Sequence, residues 1–260
     1  MKKFEDFKNY HYQSDPLILG NVWDVASTLH MQELGFKALG TSSAAVASML
    51  GYEDGENMPF SEYLLIIKRI ARSTKLPLSV DLEAGYGHDP ETVFSNVSEL
   101  SRLGVVGINL EDSVVHDGSR TLAEVNEFAS KLARFRRMIK DGNMNIFINL
   151  RIDTFLLQVP NVIRETIDRI DHYSNFVDGI FLPGLSTSED ITQIVQHTDL
   201  PLNVMSVPSL PDFGDLRKLG VKRISTGNFL YDYMYNRLTH KTRSIIEKSD
   251  FKSLFNQNVM

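Results

Sequence analysis

Three acidic residues stand where apolar, β-rich runs of the sequence end. Asp81 and Glu83 close the run Pro77–Glu83, and Glu111 closes the next run, Val105–Glu111. Side chains two apart in a strand project to the same side, and carboxylates without cysteine or clustered histidine suit a hard cation. The spacing therefore predicts a divalent metal site for Mg²⁺ or Mn²⁺, held partly through water. The alternative, in which these acids cap helices or pair with Arg and Lys at a rim, stays open.

Two further run ends carry groups that suit an anion. Arg151 closes the run Asn145–Arg151, where it is either an ion-pair partner of the acids or a fork for a substrate carboxylate. The small residues Ser42, Ser43 and Ala44 follow the run Phe36–Thr41. Their hydroxyl and backbone N–H groups can approach an anion closely, although a tight turn with close helix packing explains the same residues.

Four other residues are candidates by position alone. Asp54 lies in the loop 51–57, which could bring it back over the site, and His116 lies in the loop after Glu111. Trp23 follows the first run, and Asn203 lies within the run Pro201–Met205. We take Asp54 and His116 as catalytic candidates and Trp23 and Asn203 as substrate-binding candidates. A solvated loop histidine and a packing tryptophan are the alternatives.

The elements that must position these residues alternate along the chain. Amphipathic stretches separate eight apolar runs, which are Leu17–Val22, Phe36–Thr41, Pro77–Glu83, Val105–Glu111, Asn145–Arg151, Asp178–Pro183, Pro201–Met205 and Lys222–Thr226. Largely apolar runs are typical of parallel strands covered on both faces. Helix signals between them include N-caps at Asp89 and within 186–189, and C-terminal glycines at Gly35, Gly104 and Gly220.

Eight β-then-α units predict an α/β fold, a single-domain (β/α)₈ TIM barrel over residues 1–260. The first 15 or so residues form an N-terminal extension, and the chain beyond about Thr239 forms a C-terminal helical tail. The turn after the first run lacks the GxGxxG pattern of a dinucleotide-binding fold. In a barrel, βα loops at the carboxyl ends of the strands build the active site, which is where the candidate residues lie.

The composition limits the classes of partner. The chain of 260 residues has 42% apolar residues, a formal net charge of −6 and no cysteine. An acidic chain offers no basic footprint for nucleic acid or an anionic membrane, so we expect a small-molecule ligand and neither of those partners. The absence of cysteine excludes a thiol nucleophile and disulfides, and it fits a cytoplasmic location.

The ordered set of motifs resembles the isocitrate lyase/phosphoenolpyruvate mutase superfamily over roughly residues 15–230. The resemblance rests on five segments and a following turn at 179–184, the segments being 20–24, 41–43 with 50–55, 81–87, 107–112 and 149–153. It implies a Mg²⁺-dependent lyase or hydrolase that cleaves a C–C or P–C bond in a small 2-oxo carboxylate through a metal-stabilised enolate. It also implies a homo-oligomer, either a dimer or a tetramer with exchanged C-terminal helices.

Residue roles follow from the same resemblance. Asp81, Glu83 and Glu111 look like the metal shell, and Asp54 looks like a residue that contacts metal-bound water or the reacting group. Ser42, Ser43 and Ala44 resemble the cradle for the substrate carboxylate, with Arg151 as its charged partner.

Two departures from the family's motifs narrow the range of activities that the resemblance implies. The lyase branch carries a catalytic cysteine in the loop that is 113–120 here, and the mutase and hydrolase branch carries a lysine and an asparagine there, but this loop has none of the three. His116, Ser119 or Arg120 could substitute for them. Glu83 stands where the family usually has the shorter Asp. Phosphoenolpyruvate mutase or phosphonopyruvate hydrolase activity, and a barrel that binds a carboxylate without turnover, therefore remain as alternatives.

Overall fold

The structure is a computed structural model that describes residues 2–255. Its strands are β1 (Leu17–Ile18), β2 (Gly20–Val22), β3 (Leu39–Thr41), β4 (Leu78–Asp81), β5 (Gly107–Glu111), β6 (Ser113–His116), β7 (Ser119–Leu122), β8 (Phe147–Arg151), β9 (Gly179–Leu182), β10 (Leu202–Met205) and β11 (Arg223–Ser225). Its α-helices are α1 (Lys2–Tyr10), α2 (Val25–Glu33), α3 (Ser43–Leu50), α4 (Phe60–Ser73), α5 (Pro90–Arg102), α6 (Val125–Asp141), α7 (Val162–Tyr173), α8 (Ser188–His197), α9 (Phe213–Lys218), α10 (Phe229–Lys248) and α11 (Lys252–Phe255).

Parallel strands form a closed barrel in the order β1-β11-β10-β9-β8-β5-β4-β3-β2. β1 and β2 are two halves of one strand, because only Leu19 separates them. The first half pairs with β11 and the second half pairs with β3, and this exchange closes the ring. The arrangement has eight strand positions with helices between them, so the predicted (β/α)₈ barrel is confirmed.

Each of the eight predicted runs contains an observed strand. The predicted helix ends are also observed: Asp89 caps α5 with Pro90 in its first turn, and Thr187 caps α8. The three glycines after helices adopt positive φ angles of 82°, 87° and 90° at Gly35, Gly104 and Gly220, in the left-handed region that favours glycine at this position. After Glu111, where the sequence predicts a loop, the chain forms the antiparallel hairpin β6–β7.

The N-terminal extension belongs to the barrel core. Phe7 on α1 is fully buried in a second apolar cluster with Leu17, Leu19 and Phe147. A Cβ placed on Gly107 of β5 would lie 2.7 Å from the Phe7 ring, so the glycine makes room for this ring. α1 therefore closes the barrel at the amino ends of the strands, opposite the candidate site.

The predicted C-terminal tail is helical where the structure describes it, and its helix α10 starts at Phe229, before the expected position. Residues 256–260 of the predicted tail lie outside the described residues. Within residues 2–255, no helix is long and apolar enough to cross a membrane.

Candidate active site

Hydrogen bonds hold both the side chain and the main chain of Asp81, the last residue of β4. Its Oδ2 accepts hydrogen bonds from the Ser43 hydroxyl at 2.7 Å and the Ser43 amide at 3.3 Å, and its Oδ1 accepts one from Asn109 Nδ2 at 3.3 Å. Its main chain is bound separately, since the Asp81 amide donates to Thr41 Oγ1 and the Tyr63 hydroxyl donates to the Asp81 carbonyl. The carboxylate is half-buried, so it is oriented yet still accessible from the barrel mouth.

The turn of small residues lies beside this carboxylate. Ser42 is the N-cap of α3, and its hydroxyl accepts from the Ala45 amide. Ser43 directs both of its donors at Asp81, while Ala44 is half-buried. The positive end of the α3 dipole therefore stabilises the negative charge of Asp81.

Glu83, two residues after Asp81, is buried in an unusual backbone conformation. Its φ angle is 51°, in the left-handed region. Its Oε2 accepts from the Glu56 amide at 2.7 Å and its Oε1 accepts from the Tyr86 hydroxyl at 2.9 Å. The Glu111 amide also donates to the Glu83 carbonyl at 2.8 Å. The strained residue thus joins the ends of β4 and β5 at the site.

Glu111 lies between two guanidinium groups. Its register partner Arg151 on β8 places Nη1 3.0 Å from Glu111 Oε2, and Arg120 Nη1 forms an ion pair with Glu111 Oε1. Arg151 also donates hydrogen bonds to the fully buried Asp153, from Nε at 2.6 Å and from Nη2 at 3.0 Å. The ion-pair interpretation of Arg151 is therefore observed, and its role as a fork for a substrate carboxylate stays a prediction.

Arg120, one of three residues predicted to replace the missing loop groups, is the one of them that reaches the acidic residues. It stands on β7 of the hairpin, and its guanidinium also contacts Asp153 Oδ2 at 3.3 Å and Asp54 Oδ2 at 3.4 Å. Asp117 and Gly118 form the hairpin turn with φ angles of 49° and 72°. A D-G pair between alternating residues is a hairpin signal, and it could have placed Arg120 on the inward face.

His116 is placed by the same hairpin at its outer end. Its side chain is 86% exposed, and its Nδ1 lies 3.1 Å from its neighbour Asp117. The structure does not bring His116 to the acidic residues, because hairpin geometry turns it outward while Arg120 points inward.

Asp54 reaches the mouth as expected. Its side chain is 44% exposed and faces Arg120. The loop that carries it packs on the hairpin, since a Cβ on Gly55 would lie 2.7 Å from Val115 Cγ2. Gly55 has a φ angle of 98°, so both its conformation and its lack of a side chain permit this contact. The Asp54 loop and the hairpin together cover one side of the mouth.

Two substrate-binding candidates lie away from the acids. Trp23 is 6% exposed and packs edge-on against Tyr231 of α10, with ring centroids 5.4 Å apart. Asn203 is fully buried inside the barrel, where its Nδ2 donates to the Val204 carbonyl at 2.7 Å and to Ser225 Oγ at 3.2 Å. The structure thus places both residues in packing or interior hydrogen-bonding positions.

The acidic residues influence one another strongly. Burial raises the pKa of Glu83 to about 8, and the negative charges of Asp54, Glu111 and Asp81 add to the rise. Burial raises the pKa of Asp54, and the charge of Asp81 adds to that rise too. Mutual repulsion among four carboxylates is what a bound cation would relieve.

These residues fit a hard divalent cation. The available donors are carboxylate oxygens, which Mg²⁺ and Mn²⁺ prefer. Among residues 2–255, no three acidic or histidine side chains converge into a complete ligand set. An ion here would therefore take one or two carboxylates directly and water for its other positions, as Mg²⁺ usually does. Asp81, the half-buried acid between Ser43 and Asn109, is the best direct ligand.

Known proteins are similar to this chain in sequence and in fold. The family model described as phosphoenolpyruvate phosphomutase matches residues 7–246. An uncharacterized protein of Mycobacterium tuberculosis (strain ATCC 25618 / H37Rv) is 32% identical over 92% of this chain and 88% of its own length. An oxaloacetate decarboxylase of Pseudomonas entomophila (strain L48) is 28% identical over 81% of this chain and 73% of its own.

Solved structures show the same fold. A candidate phosphonomutase from Burkholderia cenocepacia J2315 superimposes with a TM-score of 0.87 at 35% identity, covering 94% of this chain and all of the other. The 2,3-dimethylmalate lyase, a phosphoenolpyruvate mutase/isocitrate lyase superfamily member, shares the fold with a TM-score of 0.83 at 20% identity over 95% of this chain and 88% of its own. The chain therefore belongs to the phosphoenolpyruvate phosphomutase family, within the phosphoenolpyruvate mutase/isocitrate lyase superfamily, and is an enzyme of its lyase and mutase class.

Proposed function

We propose that this enzyme cleaves the C3–C4 bond of a small 2-oxo carboxylate, the bond one carbon removed from the carbonyl group, with Mg²⁺ or Mn²⁺ as cofactor. The observation that supports this most is the pairing, at one barrel mouth, of four carboxylates with two guanidinium groups. The carboxylates of Asp54, Asp81, Glu83 and Glu111 suit the cation, whereas the guanidinium groups suit an anionic substrate.

The cation would supply Lewis-acid chemistry. Bound at Asp81, with Glu83 and Glu111 acting mainly through water, it would polarise the 2-oxo group and stabilise the developing enolate by several kcal/mol. The Ser43 and Asn109 hydrogen bonds keep the Asp81 oxygens pointed in fixed directions. Such preorganisation avoids reorganisation during the reaction.

The substrate carboxylates would be bound by Arg151 and Arg120. Arg151 is held by Asp153 and Glu111 before any ligand arrives, so little rotamer entropy is lost on binding. In the proposed reaction the C–C bond breaks, its electron pair passes into the enolate, and a proton later returns to that carbon. Asp54 is our candidate for moving this proton, because its carboxyl group is raised in pKa and lies at the mouth.

Oxaloacetate is the first substrate to test, for two reasons. The Pseudomonas relatives that match over 81% of this chain are oxaloacetate decarboxylases. The chain has no cysteine, so it cannot use a thiol as its general acid. Decarboxylation needs no such group during bond breaking, since carbon dioxide leaves without a proton.

Phosphonate chemistry is the second candidate, favoured by the matching family model and by the phosphonomutase-like neighbour. Loop 113–120 contains no lysine or asparagine, and Arg120 is its inward-facing cation. A barrel that binds a carboxylate without turnover is the third.

One assay separates the three. Purified enzyme is incubated with Mg²⁺ and oxaloacetate, methylisocitrate or phosphonopyruvate, and loss of each compound and appearance of product are followed by NMR. We expect turnover of oxaloacetate. Turnover of phosphonopyruvate alone would favour the second function, and Mg²⁺-dependent binding without any turnover would favour the third.

We also propose that the chain forms a homo-oligomer, a dimer or tetramer, in the cytoplasm. The C-terminal helices α10 and α11 expose large apolar side chains, among them Phe229, Tyr233, Leu238, Ile246 and Phe255. Such a face is typical of an interaction site. Light scattering of the full chain measures its mass, and a mass of one chain would contradict this proposal.

A further inference from the structure

A layer of buried polar side chains lies directly beneath the acidic site, inside the barrel. Asn109 on β5, Asn149 on β8 and Arg223 on β11 are 8%, 1% and 1% exposed. They are joined to each other, because Asn109 Oδ1 accepts from Asn149 Nδ2 at 2.9 Å and from Arg223 Nη2 at 3.3 Å. The layer touches the site at one point, the bond from Asn109 Nδ2 to Asp81 Oδ1.

The contacts of Asn109 decide which way its amide faces. Both groups below it, Asn149 Nδ2 and Arg223 Nη2, are donors. An amide has one acceptor end and one donor end, so the oxygen must face these donors and the NH₂ group must face Asp81. A flipped amide would place donors against donors on one side and an acceptor against a carboxylate on the other.

Arg223 is a costly residue to bury here. Among residues 2–255, the only hydrogen bond of its side chain is the one to Asn109, and its Nε and Nη1 are buried without a partner. Burial lowers the pKa of Arg223 to about 9, while the negative charge of Asp81 opposes the fall. A buried cation with unsatisfied donors destabilises the fold, so its contact with Asn109 calls for a role other than stability.

We infer that Asn109 is a positioning residue for the metal-binding carboxylate of Asp81, and that Arg223 acts through Asn109 by fixing the direction of its amide. Ser43 holds one oxygen of the carboxylate from the side and Asn109 holds the other from below. Together they leave the outward lone pairs free for a cation. The inference rests on the proposed function, since it concerns the same metal site.

The direction of the effect distinguishes positioning from simple electrostatics. Arg223 is a positive charge, so if it acted only through its charge, its removal would strengthen the binding of a cation. If it orients Asp81 through Asn109, its removal weakens that binding. Residues that orient metal ligands typically contribute 10–100-fold in metal affinity.

The test measures Mn²⁺ affinity by the EPR signal of free Mn²⁺, together with thermal unfolding, for the metal-free full chain. The variants are Asn109→Leu, Arg223→Met and the double variant, with Ser79→Ala as the matched control. Ser79 is equally buried in the same barrel interior, and its hydroxyl has no partner. The double variant removes the cation together with its acceptor, so it leaves no unpaired charge and keeps the test usable if a single variant does not fold.

We expect Asn109→Leu to weaken Mn²⁺ binding at least about tenfold, Arg223→Met to weaken it less, and Ser79→Ala to leave it unchanged. The double variant should bind as Asn109→Leu does, because Arg223 acts only through the amide. Unchanged or tighter binding in Asn109→Leu would overturn the inference, as would an Arg223→Met effect that persists in the Asn109→Leu background. If the unmodified chain bound no Mn²⁺, the proposed function itself would fail.

Discussion

Glu111 Oε2 lies 3.0 Å from Arg151 Nη1, and the two residues are register partners on adjacent strands, β5 and β8. Arg151 also donates hydrogen bonds to Asp153 from its Nε and Nη2. Arg151 thus connects Glu111, one of the acids proposed for the metal site, to the buried Asp153. Its side chain is fixed by backbone register and by a buried acid, which is why it can serve as a preformed anion site.

Replacing Arg151 by lysine should therefore raise KM more than it lowers kcat. Lysine keeps the charge but cannot form the two-pronged contact with a carboxylate. We expect a rise in KM of about tenfold, the size of one lost charge-assisted hydrogen bond. Steady-state kinetics on the substrate that the enzyme turns over measures this.

Arg136→Lys is the matched control for Arg151→Lys. Arg136 forms a similar fork on Asp178, with distances of 3.0 Å and 2.7 Å, away from the site. The Arg136→Lys variant should have a lower free energy of unfolding and an unchanged KM. An unchanged KM in Arg151→Lys would mean that Arg151 is a structural ion-pair residue only.

Arg120→Met should tighten cation binding and weaken substrate binding. The Arg120 guanidinium contacts Glu111, Asp153 and Asp54, so its removal leaves the site more negative. We expect Mn²⁺ affinity to rise about tenfold, given the strength of charge interactions near 4 Å at a partly buried site, and KM for an anionic substrate to rise. The exposed pair Arg102–Glu99 supplies the control variant Arg102→Met, which should change neither. Weaker Mn²⁺ binding in Arg120→Met would contradict this account of the hairpin.

The buried His11 should make the stability of the fold depend on pH. It is buried beneath the barrel and stacks on Phe147, and burial lowers its pKa to about 3, with a contribution from the positive charge of Arg223. The unfolded chain binds this proton near pH 6.5 and the folded chain only near pH 3, so stability falls as pH drops through this window. The loss from this group is roughly 5 kcal/mol when complete.

His11→Phe keeps an aromatic ring against Phe147 and removes the titration. The free energy of unfolding of the variant, measured by urea denaturation between pH 7 and pH 4, should fall less steeply than that of the unmodified chain. Parallel pH profiles for the two proteins would show that His11 is not buried as a neutral group.

The sequence predicted the parts of this molecule that follow from repeated local rules. Apolar runs gave the eight strands, and the rule that barrel sites form at the carboxyl ends of strands placed Asp81, Glu111 and Arg151 correctly at one mouth. Ser43 was also placed next to this site, although its contact with Asp81 depends on a helix start that sequence patterns do not orient.

Other features required the three-dimensional structure. Arg120 reaches the acids because a hairpin turn directs it inward and His116 outward, and a one-residue shift in strand register would exchange the two faces. Glu83 occupies a left-handed conformation that its residue type does not favour. The position of Asn203 inside the barrel depends on the tilt of β10, which a periodic pattern does not specify.

The most direct test of the central claim is the rate of 2-oxo acid cleavage as a function of Mg²⁺ concentration, after treatment with chelator, for the unmodified enzyme and Asp81→Ala. The contacts that fix the Asp81 main chain, from Tyr63 and to Thr41, do not involve its side chain, so the variant should unfold at nearly the same temperature. We predict that Mg²⁺ restores activity to the chelated enzyme in a saturable manner and never to Asp81→Ala. Activity that survives chelation, or that persists in Asp81→Ala at low Mg²⁺, would contradict the assignment of Asp81 as the metal ligand.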